Sequence, residues 1–176
     1  RTQELLGQTQ AQARQLEEQT GRLTASQDEL RETEQFFRSV LELAPDGLMV
    51  VDEDGVIRLA NAQCEKLFGH TRDELVGQTV ETLVPMDVRR GHAAMRETFH
   101  QAPTARAMGA NRELRALRKD GTEFPVEIGL SPLPARGSST IQVAVSIRDL
   151  TERREQERAL KLAKARAEEA TATKSM

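Results

Sequence analysis

The stretch from 47 to 85, GLMVVDEDGVIRLANAQCEKLFGHTRDELVGQTVETLVP, decides the fold. It opens with two short apolar runs joined by DEDG, in which Gly55 can take the positive φ that a tight turn needs. Two antiparallel strands follow from that pattern. The period then changes: Asn61 can cap a helix, Gly69 can end it, and Thr71 with Glu74 has capping-box spacing for a second. These helices must be brief, because Gly77 and Pro85 interrupt them.

Downstream, VPMDVRRGHAAMRETFHQ (84–101) predicts a longer helix on which Val88, His92, Met95 and Phe99 stand at i, i+4, i+7 and i+11. That spacing makes one stripe, expected to face the interior. His70 and His100, beside helix ends, are expected at the surface. RELRALRKDGTEFPVEIGLSPL (112–133) then predicts two strands turning at KDG, and TIQVAVSIRD (140–149) alternates as a last strand. Helices clustered between a pair and a trio of antiparallel strands imply an α+β fold, with helices over one face of the sheet.

This middle zone is set off by glycine and proline. All six prolines and nine of the eleven glycines lie between Pro45 and Gly137, so the two ends are predicted to be long helical arms. In the first arm Leu16, Leu23, Leu30 and Phe37 repeat every seven residues, one column of a coiled-coil seam. The companion column, Ala13, Thr20, Gln27 and Glu34, is small or polar, so the seam is expected to be weak and able to shift. The alternative is an amphipathic helix folding back on its own domain. In the last arm Asp149 or Thr151 can cap the helix, and Glu157 precedes Lys161 by four residues. Leu160, Ala163, Ala167 and Ala170 form a narrow second seam. The expected organisation is 1–43 as an N-terminal signalling helix, 44–149 as the compact domain and 150–176 as a C-terminal helix leading to an output domain.

Composition narrows the function. With 176 residues, 25 basic and 28 acidic side chains and a net charge of -3, the chain holds one core and carries no polybasic field. Nucleic acid is therefore not an expected partner. The single cysteine, Cys64, excludes a disulfide framework and a CxxC metal site, which fits a reducing, cytoplasmic setting. No run approaches the roughly 18 apolar residues of a membrane span. No direct membrane contact is expected of this segment, and a membrane-anchored parent is compatible with it.

APDGLMVVDEDGVIRLANAQCEKLFGHTRDELVGQTV, RKDGTEFPVEIGLSPL and SIRDLTER, in that order, resemble a bacterial PAS sensor domain over residues 36 to 153. The resemblance implies a five-stranded antiparallel sheet with helices across one face, and dimers joined through flanking helices. The arms are similar to the signalling helices of a bacterial, hybrid-type sensor histidine kinase, with a diguanylate cyclase as the alternative output. Asp149, Leu150 and Thr151 form the junction that links such domains to output helices. No His-Glu-aliphatic-Arg phosphoacceptor motif surrounds His70, His92 or His100, and no cluster of convergent polar residues suggests catalysis. The segment is thus expected to be regulatory rather than enzymatic, with the kinase core of the same polypeptide and a second copy of the chain as partners.

The resemblance also bears on the pocket, whose candidate residues are His92, Met95, Arg112, Ile128 and Leu130. Haem PAS domains of oxygen-sensing kinases carry their axial histidine at the position of His92 and a ligand-contacting arginine at that of Arg112. Before Arg112, however, ARAMGAN offers small or flexible side chains where those sensors have bulky aliphatics. Cys64 falls outside the reactive-cysteine position of photoactive flavin domains and is expected to pack as a small apolar group. The leading expectation is a well-packed core with no cofactor and a hydrogen-bonded His92. Haem on His92 and a small organic ligand stand as alternatives.

Overall fold

The computed structural model describes residues 2–108, 113–133 and 141–174. The chain divides into two units, Arg1–Glu42 and Leu43–Met176. Helix α1 (Thr2–Leu43) accounts for the first. Its polar faces are laced by i,i+4 pairs such as Arg22–Glu18 at 2.6 Å and Arg38–Glu34 at 3.1 Å. Its apolar side chains Leu16, Leu23, Leu30 and Phe37 are all exposed.

The second unit begins with the hairpin β1 (Gly47–Val51) and β2 (Ile57–Ala60). Asp52 is the reason this turn forms. Its Oδ1 accepts from the N–H groups of Asp54 and Val56, its Oδ2 accepts from Arg58 Nε at 2.7 Å, and Gly55 supplies a φ of 82°. Helix α2 (Ala62–Phe68) starts at Asn61, whose Oδ1 accepts from Cys64 N–H and also from Leu48 N–H. One buried amide therefore satisfies both the helix end and the first strand. Gly69, at φ 73°, ends α2, and Thr71 with Glu74 forms the predicted capping box on α3 (Arg72–Leu75). A single 3₁₀ turn, Val80–Leu83, leads to α4 (Arg89–Gln101).

Four further strand segments follow: β3 (Arg106–Met108), β4 (Leu114–Leu117), β5 (Glu123–Leu133) and β6 (Gln142–Asp149). The sheet order is β2-β1-β6-β5-β3, all antiparallel, with β4 also paired to β5. Six segments thus occupy the five expected strand positions, because β3 and β4 share one edge. Met108 pairs with Ile128 and Leu114 with Val126, so the edge segment advances six residues while β5 advances two. Alternation buries Met49 and Val51 on β1 and Val143, Val145 and Ile147 on β6, all on one face. Against that face pack Cys64, Leu67 and Phe68 of α2, with Leu75, Leu83 and Phe99. Phe68 and Phe124 meet edge to face, their centroids 5.7 Å apart.

Helix α5 (Thr151–Lys174) leaves from the end of β6. Leu160, Ala163 and Ala167 are exposed along it. Glu157 pairs with Arg153 at 3.1 Å, one turn back, rather than with the Lys161 that sequence spacing also allowed. Among the described residues no helix is long and apolar enough to cross a membrane, and no cluster of His, Cys, Asp and Glu has metal-binding geometry.

Candidate functional site

Two places gather the candidate residues. The first is the junction between β6 and α5. Asp149 ends the sheet opposite Val126, and its Oδ1 accepts from the N–H and hydroxyl of Thr151 at 2.8 and 2.5 Å. Leu150 N–H donates to Pro125 O at 2.9 Å, which fastens the linker to β5. The other carboxylate oxygen, Oδ2, takes Arg118 Nη2 at 3.0 Å. Arg118 in turn donates to Leu67 O at the end of α2 and lies over the Phe124 ring, 3.8 Å from its centroid. Burial alone would raise the Asp149 pKa. The Thr151 and Arg118 hydrogen bonds outweigh it and hold the group below its ordinary value.

Sequence reasoning singled out Asp149, Leu150 and Thr151 but gave Arg118 no role of its own. No local signal marks it, because its three partners come from α2, β5 and β6. A second contact, Arg154 Nη1 to Glu113 at 3.2 Å, ties the first turn of α5 to the start of β4.

The second place is a cavity of about 300 Å³ between the sheet and α4. His92, Met95, Ile128 and Leu130 all line it with Phe99, but of the stripe expected to face the interior only Phe99 is buried, while Val88 and Met95 are 44% and 47% exposed. Arg112 lies outside the described residues. The expectation of a filled core thus meets a domain with open room under α4, at the lower end of the range for small-molecule sites.

His92 Nδ1 lies 3.3 Å from Glu81 Oε1, and Arg96 Nε donates to the same oxygen at 3.1 Å. Burial pushes the Glu81 pKa upward, but Arg96 and His92 more than compensate and hold it below its ordinary value. A carboxylate accepts from Nδ1–H, and in a neutral ring Nε2 then carries the lone pair, the arrangement that orients imidazole ligands in metal sites. That donor set and the apolar walls fit a haem ligand. Arg96 extends the cluster: its Nη1 donates to Glu53 O, and its guanidinium fills the space in which a Cβ on Gly55 would sit, 2.7 Å from Arg96 Cζ.

The two remaining histidines depart from their expected surface positions. The His70 side chain is 18% exposed, with Nδ1 3.7 Å from Glu74. His100 is half-buried and lines the cavity, its Nδ1 3.0 Å from Arg96 O.

Comparison with known proteins places this geometry. A family model described as the PAS fold matches residues 35–150. The sensor protein FixL of Bradyrhizobium diazoefficiens is 32% identical over 123 residues, 70% of this chain and 24% of FixL. The oxygen sensor protein DosP of Escherichia coli is 30% identical over 102 residues, 58% of this chain and 13% of DosP. The cell-division control histidine kinase PdhS of Brucella anthropi is 26% identical over 140 residues, 79% of this chain and 13% of PdhS. This chain therefore spans about a quarter or less of each relative. Among solved structures, the PAS domain of an HTR-like protein from Haloarcula marismortui superposes with a TM-score of 0.62 at 22% identity, covering 72% of this chain and 98% of that one.

Proposed function

The chain belongs to the PAS family, and from that premise we propose that it is the sensor and relay module of a sensor histidine kinase. In this reading residues 1–43 receive or transmit motion, 44–149 are the sensor domain, and 150–176 pass the signal to a kinase core in the same polypeptide. Two copies pair through Leu16, Leu23, Leu30 and Phe37, and through Leu160, Ala163 and Ala167. The module carries no catalytic step of its own.

The observation that carries this reading is the Asp149 network. One carboxylate holds the α5 cap with one oxygen and Arg118 with the other, while Arg118 reaches α2 and Phe124. A shift of the sheet or of α2 therefore changes the hydrogen bonds that set the exit of α5. The apolar seam of α1 adds to it, since rows of exposed leucine are stabilised when a second helix covers them. Two packings of such a thinly apolar seam differ little in free energy, which suits a switch.

Cysteine substitutions at residues 16, 23 and 30 test the pairing, because the native Cys64 is fully buried and does not compete. The expected result is rapid oxidative crosslinking of two chains at these positions and little at the intervening ones. Equal, slow crosslinking at every position would remove the dimeric lever.

The Glu81 contact on His92, together with the likeness to an oxygen sensor, favours a second reading in which His92 is the axial ligand of a haem. Bound there, haem would supply a gas-binding iron, with Met95, Ile128 and Leu130 as its apolar surroundings. Protein purified with haem supplied would then show a Soret band that is lost in His92→Ala.

A further inference from the structure

The ladder between β1 and β6 runs from Val51 opposite Val143 to Gly47 opposite Ile147. One residue further, the same register sets Asp46 opposite Arg148, and there side chains make the rung. Arg148 Nε donates to Asp46 Oδ1 at 3.1 Å, and Nη2 donates to Oδ2 at 2.8 Å. On its other side Arg148 stands opposite Glu127 of β5, with Nη1 3.5 Å from Oε2. Arg148 is thus the middle of a charged row across three strands, on the face turned away from its buried neighbour Ile147.

The place of this row in the chain gives it a consequence. Asp46 follows Leu43, the last residue of α1, by three positions, and Arg148 immediately precedes the Asp149 that caps α5. The chain therefore enters and leaves the sheet on adjacent strands, at the same end. A lone ion pair in water does little, but this one is two-pronged and its carboxylate side chain is only 26% exposed, so it fixes direction as well as distance. The carbonyl of Asp46 is held separately, by Asn61 Nδ2 at 3.1 Å.

We propose that Arg148 couples the two arms at their roots: a displacement at the end of α1 reaches the α5 cap through Asp46, Arg148 and Asp149, without passing through the cavity. The inference rests on the relay reading, whose input it routes. The coupling is nevertheless measured within one chain, so a failure of pairing between copies and a failure of this contact are separate outcomes.

Hydrogen exchange of the full chain, resolved amide by amide, tests it. Asp46→Ala removes the carboxylate and keeps the carbonyl that serves Asn61. The amides to follow are Leu150, Thr151 and Arg154, which donate to Pro125 O, Asp149 Oδ1 and Leu150 O, none of them a neighbour of residue 46 in sequence. We expect all three to exchange about threefold faster, the order of one partly exposed ion pair. Met49 and Val51, inside the β1 ladder, should keep their wild-type rates, which a general loss of stability would not allow. Arg148→Ala should accelerate the same three amides, and adding Asp46→Ala to it should change nothing further. Wild-type rates at the three amides in Asp46→Ala, an equal acceleration at Met49 and Val51, or additive effects in the double variant would each overturn the proposal.

Discussion

Met49, Ile57 and Ile147 on the inner face of the sheet are all but inaccessible, whereas Leu16, Leu23, Leu30 and Phe37 along α1 are each more than half exposed. Both sets are apolar side chains placed at regular intervals by their secondary structure. The sheet finds its cover within the same chain, in α2, α3 and Phe99. The separate helical unit leaves its apolar column in contact with solvent. Burial within one chain therefore fixes the stability of the compact domain, to which the exposed column of the arm adds little.

The strongest way to sharpen that contrast is to damage the core. Phe68→Ala removes a ring that is 2% exposed and packs edge to face on Phe124, and it should cost about 3–5 kcal/mol of unfolding free energy in urea titrations. Next is the junction. Asp149→Ala leaves Thr151 N–H without its cap and Arg118 without its carboxylate partner, and about 1–2 kcal/mol should be lost. Hydrogen exchange in the first turn of α5 should rise in the same variant, while β1 stays protected.

Acid probes the same network with a smaller effect. Glu81 and Asp149 both have folded pKa values held below their ordinary 4.5 and 3.8. Each therefore adds stability that is present above those values and lost as the pH falls through the lower folded ones. Urea unfolding of the wild type should weaken progressively below about pH 4.5. Glu81→Gln should show a shallower decline over the upper part of that window; parallel curves would mean that Glu81 contributes nothing there. The smallest expected change is in the arm. Leu23→Ala should leave unfolding of the dilute monomer within about 0.5 kcal/mol of wild type. Its effect should instead appear as weaker association in sedimentation measured over a range of concentrations.

Local chemistry made much of the fold legible. Gly55 and Asp52 in the first turn, Asn61 and Gly69 at the ends of α2, and the Thr71–Glu74 box each act within a few residues, so their types and spacing suffice. The divided edge strand was not legible. Its β3 and β4 segments are defined by register against β5, and no short-range pattern records a difference of four residues between this edge and β5. The site was legible in the same uneven way. A helical stripe marked His92, Met95 and Phe99, yet the Glu81 that binds both His92 and Arg96 comes from the preceding 3₁₀ turn, 11 and 15 residues away. His100 was misplaced at the surface because proximity to a helix end says nothing of what packs over it.

By itself, then, the amino-acid order determined the elements, their caps, the strand–helix handover at Asp149 and the exposed apolar column of α1, since all of these depend on near neighbours along the chain. Only the tertiary structure decided that Arg118 joins three elements, that Glu81 serves both His92 and Arg96, and that the space under α4 stays open. Those outcomes depend on distances between residues far apart in sequence, and on whether side-chain volumes happen to fill the gap between a helix and a sheet.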